Sequence, residues 1–149
     1  MKHIPRRSPF ATLAAALLLA LLATTARAEM RQYGSFEVHY SVFSSSFLQP
    51  GIAAAYGIVR AKDRALINIA VRRGTGDAAT VSAVLSGTRG DLIRKTPLEF
   101  REIREEQAVY YIAEFGFVSG ETQYFDIAIQ PAGETRPLVL QFNHVLYAD

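Results

Sequence analysis

From Phe36 onward the chain is written in twos. Phe36, Val38, Tyr40 and Val42 alternate with Glu37, His39 and Ser41, the period of a strand with one buried and one polar face. Residues 65–71 repeat the pattern more strongly, Ile67, Ile69 and Val71 standing against Leu66, Asn68 and Ala70. Such near-continuous apolarity suits a central strand. Val81, Ala83 and Leu85 form a third inward row, and Leu98 and Phe100 a fourth, just after Pro97. Val109, Tyr111, Ala113, Phe115 and Phe117 make the fifth, Phe125, Ile127 and Ile129 the sixth, and Leu138, Leu140, Phe142, His144 and Leu146 the last. Turn-forming clusters at Arg72-Arg73-Gly74-Thr75-Gly76-Asp77, Gly87 to Asp91, Glu105-Glu106-Gln107, Ser119-Gly120-Glu121 and Pro131-Ala132-Gly133-Glu134 separate the rows. About seven short strands, with a turn roughly every ten residues, predict an all-β fold: an antiparallel β-sandwich of immunoglobulin-like architecture, a small barrel being the alternative.

The periodicity breaks between Phe43 and Arg64, an excursion between the first two of these strands. Pro50 suits the first turn of a short helix reaching Tyr56, and Gly57 suits the position just past its end. So short a helix persists only when docked, and Ile52 and Tyr56, four residues apart, share a face. Pro50, Ile52 and Tyr56 are therefore expected to anchor the excursion on the sheet, with Ile69 as an anchor of the core beneath it. Phe47, Arg60 and Lys62 are expected to face solvent and to form a binding surface.

The N-terminus has three parts: the cations Lys2, Arg6 and Arg7, an apolar run of about 13 residues from Ala11 to Ala23, and Ala26-Arg27-Ala28 before Glu29. This is the anatomy of a secretory signal peptide, and the run is short of the roughly 20 residues of a permanent membrane helix. Residues 1–28 are expected to be cleaved and residues 29–149 to form one domain in the periplasm. Removing the leader takes away Lys2, Arg6, Arg7 and Arg27, so 12 of the 16 basic residues remain against 14 acidic ones, a formal charge of −2. A basic pI that belongs to the precursor gives no ground for nucleic-acid binding. The chain has no cysteine, so no disulfide framework is available. At about 120 residues a domain can be held by its core alone.

Phe47-Leu48-Gln49-Pro50, Ile52-Ala53, Ala55-Tyr56-Gly57-Ile58, Arg60 and the block Arg64-Ala65-Leu66-Ile67-Asn68-Ile69-Ala70-Val71 resemble a family of small exported Gram-negative bacterial proteins, catalogued as domain of unknown function 4426. The resemblance runs from the Tyr33 region to the C-terminus and is strongest over residues 36–73. It implies a signal peptide, a single β-rich domain and a periplasmic location. The family has no assigned activity, so no catalytic or binding residue is implied.

Sites of chemistry are hard to build from these residues. His39 falls on the polar face of one strand and His144 on the apolar face of another, which does not bring them together as metal ligands. Ser44-Ser45-Ser46 has no nucleophile elbow around it and reads as a strand-end loop. Arg60, Lys62, Arg64, Arg72 and Arg73 form the densest basic cluster, open to an anionic ligand or a membrane surface but read first as a solvated rim partly balanced by Asp63. Glu99, Glu102, Glu105 and Glu106 form an acidic patch expected to be solvated. Tyr110, Tyr124 and Tyr147 fall opposite the core rows. No cofactor, metal or nucleic acid is expected, and no enzyme. The expected function is a non-enzymatic periplasmic binding or accessory module that engages a protein or envelope component. A small ligand carrier or enzyme with a pocket under residues 43–64 is the alternative, and a purely structural domain the third.

Overall fold

The computed structural model describes residues 28–74 and 79–148. The expected leader lies outside the described residues except for Ala28, as do residues 75–78, which hold most of the turn expected over Arg72 to Asp77. The strands are β1 (Glu29–Tyr33), β2 (Phe36–Ser44), β3 (Arg64–Arg73), β4 (Ala83–Gly90), β5 (Lys95–Pro97), β6 (Arg101–Glu105), β7 (Ala108–Gly116), β8 (Thr122–Pro131) and β9 (Leu138–Val145). Between β2 and β3 lie a 3-10 turn, Ser45–Phe47, and one short helix, α1 (Pro50–Ala55).

Two antiparallel sheets face each other, one in the order β1-β2-β3-β7-β6 and the other β5-β4-β8-β9. The molecule is a sandwich and not a closed barrel, and β3 lies at the centre of its sheet as its apolarity demands. Val38, Ile67, Ile69, Val71, Ile127, Ile129 and Leu140 have no exposed surface and fill the space between the sheets. An aromatic chain continues this core: Phe125 stacks on Phe142 at 4.7 Å, meets Phe115 edge-on at 5.6 Å, and Phe142 packs on Tyr40 at 4.6 Å. Such offset and edge contacts add to the burial itself. At one open side the sheets are tied by the Tyr33 hydroxyl, which donates to the Val139 carbonyl at 2.8 Å.

Among the described residues the strands number nine, because β1 and β5 carry no alternation to read and β6 begins only at Arg101, past the inward pair Leu98 and Phe100. Every residue of β1 except Tyr33 is exposed, and β1 exists because a two-residue turn at Gly34-Ser35 lays it against β2, Tyr33 opposite Phe36. The three residues of β5 are likewise all exposed. Leu98 and Phe100 do point inward, but not within a strand. They lie in the link from β5 to β6 that carries the chain from one sheet to the other, with the Leu98 amide bonded to the Gly87 carbonyl at 2.9 Å.

Candidate functional site

The excursion is clamped at its base by serine. Ser44 caps the 3-10 turn, its hydroxyl accepting from the Ser46 amide at 3.3 Å. The buried Ser45 hydroxyl accepts from the Ala61 amide at 3.0 Å and donates to the Ala61 carbonyl at 3.2 Å. The triplet thus closes the loop on itself.

Pro50 begins α1 with the fixed φ that a first helical turn accepts, and its own ring is exposed. At the other end Gly57, at φ +63°, reverses the chain, so that the Ile58 amide reaches the Ala53 carbonyl at 2.8 Å and the Gly57 amide the Ala54 carbonyl at 3.2 Å. This is a Schellman motif, with its apolar contact supplied by Ala53 and Ile58. The helix lies on the outer face of the first sheet, where Leu48, Ala53 and Ile58 bury against Leu66 and Ile112, with Phe43, Ile52, Tyr56 and Ile103 around them. Leu66 is 1% exposed because this second, smaller core sits on it.

Polar bonds complete the docking. The Tyr56 hydroxyl donates to Glu105 Oε1 at 2.6 Å, and this bond, ahead of burial, pushes the phenol up to about 12. Arg101 donates to the Tyr56 carbonyl and to Glu114, each at 3.0 Å, and the Val59 amide donates to the second oxygen of Glu114 at 3.4 Å. Two members of the expected acidic patch are therefore engaged: Glu105 holds Tyr56, and Glu102 accepts from the Tyr111 hydroxyl and pairs with Arg104. Sequence separation hides such contacts, since Tyr56 and Glu105 are 49 residues apart.

Phe47 is left outward, 53% exposed, and Arg60 and Lys62 are exposed beside it. Arg60 Nη2 donates to the Ser46 carbonyl at 2.8 Å, which lays its guanidinium along the turn that carries Phe47. The wider basic cluster does not converge. Arg64 and Arg72-Arg73 stand at opposite ends of the ten-residue β3, roughly 30 Å apart. Arg64 lies 3.9 Å from Glu114, while Arg73 pairs with Glu134 at 3.1 Å and covers the Phe36 ring.

Turns of the second sheet come to the same end of the sandwich. The Phe117 amide donates to the Asp63 carbonyl at 2.9 Å, the Gly120 amide to the Leu146 carbonyl at 2.8 Å, and the Ala148 amide to the Ser119 hydroxyl at 3.0 Å. Lys62, Val118 and Tyr147 are thereby carried on adjoining turns, with Val118 and Tyr147 exposed. After β4 the chain doubles back so tightly that a Cβ on Gly90 would lie 1.9 Å from the Arg94 carbonyl oxygen. The Asp91 carboxylate accepts from the Ile93 amide at 2.7 Å and the Arg94 amide at 2.5 Å, bonds that hold its pKa down. Leu92 and Ile93, at the tip so formed, are 78% and 90% exposed.

Elsewhere the chemistry is dispersed. His39 lies 3.2 Å from Glu37 on the outer face of β2, whereas His144 is half-buried on β9, its pKa lowered by burial. Among the described residues no three His, Cys, Asp or Glu side chains gather as metal ligands. Of the three tyrosines placed opposite the core, Tyr147 is exposed and Tyr124 lines an open groove with Lys95, Asp126, Gln141 and Asn143. Tyr110 is buried, which raises its pKa.

Fold and surface together define a two-sheet antiparallel sandwich whose excursion between β2 and β3 is docked by its apolar side on the outer face of one sheet and leaves Phe47, Arg60 and Lys62 exposed. The family described as domain of unknown function DUF4426 matches residues 30–149, and the chain belongs to it. A DUF4426 family protein from Pseudomonas aeruginosa PAO1 has the same fold at 37% sequence identity and a TM-score of 0.70, over 82% of this chain and 96% of that one. FetP of uropathogenic Escherichia coli strain F11, expressed in the periplasm, matches at 11% identity and TM-score 0.57, over 82% of this chain and 95% of its own. A copper-bound FetP variant matches similarly, at 11% identity and TM-score 0.58, over 83% and 97%. These last two share the fold. No curated protein matches the chain.

Proposed function

We propose that the protein is a non-enzymatic binding or accessory module of the periplasm, reached through a cleaved leader, and that the 43–64 excursion presents its recognition surface to a protein or envelope component. One observation carries the reading: the excursion's apolar side is filled against Leu66 and Ile112, while Phe47, Arg60 and Lys62 remain outward. A packed interior under the segment favours this over a ligand carrier or enzyme, which needs space and a convergent polar group there. Phe47 supplies an apolar contact and Arg60 and Lys62 supply charge, the mix found where an apolar centre meets a polar rim.

The test is a triple change of Phe47, Arg60 and Lys62 to Ala. Exposed substitutions usually move stability by no more than about 0.5 kcal/mol, so the melting temperature should stay within a few degrees of the parent. Recovery of the species cross-linked to the protein in the intact periplasm should be lost. Unchanged recovery would move the binding surface elsewhere on the sandwich.

A further inference from the structure

Nine large hydrophobic side chains are exposed among the described residues, and five of them, Phe47, Leu92, Ile93, Val118 and Tyr147, lie at the end of the sandwich where the excursion leaves and returns. Strand registers put them there. Arg64 pairs with Gly116, Gly90 with Tyr124 and Thr122 with Val145, so the flanks of the excursion, the β4–β5 loop, the β7–β8 turn and the chain after β9 all gather at one end. Val84 and Val139 lie on the second sheet away from it, and Met30 lies in β1.

We infer that this end docks on the surface of an anionic phospholipid bilayer, with Leu92 and Ile93 as the inserting tip and Arg60, Lys62, Arg94 and Lys95 as contacts to lipid phosphates. This rests on the proposed function and names the envelope component that it leaves open. The apolar side chains belong to separate turns, and exposed cations stand close to them in sequence, Arg94 and Lys95 directly after Ile93. Protein interfaces deplete lysine from a continuous apolar centre. A fluid interface instead accepts separate protrusions, takes up leucine, isoleucine and aromatic side chains at headgroup depth, and favours the cations around them. At the tip itself the apolar pair is followed directly by two exposed cations, Arg94 and Lys95. The carboxylate that precedes it, Asp91, is turned back onto the amides of its own loop. The tight Gly90 turn holds the tip in place, so insertion requires no ordering of the loop.

The chain contains no tryptophan, which makes a single introduced one a clean reporter. Ile93→Trp and Val84→Trp proteins, recovered from cells expressing the full chain and with the N-terminus defined by mass spectrometry, are titrated with vesicles of phosphatidylglycerol and phosphatidylcholine, and with pure phosphatidylcholine. The expected result is a blue shift at position 93 on the anionic vesicles, quenched by lipid-borne quenchers, with position 84 unchanged. Adding Arg94→Gln and Lys95→Gln should weaken the partition on the order of tenfold. No shift at 93, an equal shift at 84, or a shift indifferent to loss of the two cations, as a retained leader inserting by itself would give, overturns the inference. A response at 93 to periplasmic extract but not to vesicles also overturns it and makes a protein the partner. That outcome leaves the binding-module reading intact, since the latter fails only through the triple substitution.

Discussion

Tyr56 shows how one side chain joins sequence-distant parts. Its ring fills the small outer core and its hydroxyl reaches Glu105 on β6. Tyr56→Phe keeps the packing and removes the bond, at an expected cost of about 1–2 kcal/mol in urea melts. The bond also makes the protein sensitive to alkali. The Tyr56 phenol is raised from 10.0 to about 12 in the folded state, so the native fold favours the protonated form. That stabilisation is complete below pH 10 and is lost as the pH rises towards 12. Tyr40, raised to about 12 chiefly by burial and then by its bond to Glu29, acts with the same sign. The parent should therefore lose stability over this window, and Tyr56→Phe should flatten the slope; an unchanged slope would mean that the Tyr56–Glu105 bond does not form in solution. Leu66 and Ile69, on opposite faces of β3, are both essentially unexposed. Each Ala substitution is expected to cost about 2–5 kcal/mol; a Leu66→Ala protein as stable as the parent would remove α1 from the sheet.

Among the elements, β2, β3, β7, β8 and β9 were legible because each has one face between the sheets, and burial writes a period of two into the sequence. The inward sets Phe36 to Val42, Ile67 to Val71 and Phe125 to Ile129 lie as the alternation implies. What was hidden lacks that cause. The exposed edge strand β1 buries no row, and the outer face of the first sheet carries Leu66 and Ile112 for a partner, α1, that alternation does not name. In the excursion, Pro50 and Gly57 were legible through local backbone demands, but the Ser45 clamp on Ala61 was not, because a hydroxyl gives no periodic signal. Ser45→Ala leaves the Ala61 amide and carbonyl without these partners. It is expected to cost about 1–3 kcal/mol and to speed hydrogen exchange at the Ala61 amide selectively; protection equal to the parent's would show that the loop is closed by other contacts.

At the scale of the whole molecule, the sandwich brings to one end turns that the sequence spreads over more than a hundred residues, from Phe47 to Tyr147. Sequence reasoning expected Phe47, Arg60 and Lys62 to face solvent, and they are exposed; it gave no place to Leu92, Ile93 and Val118, which reach this end only through strand register. It also joined Arg72 and Arg73 to the same cluster, which the length of β3 separates. The central claim is that recognition occurs at this end, with the excursion as its base. It is tested most directly by placing a photo-activated cross-linking residue singly at Phe47 and at Val84, both exposed, in the protein expressed as a full chain in living cells. Adducts from position 47 and none from position 84 are the expected result; adducts from position 84 with none from position 47 would contradict the claim.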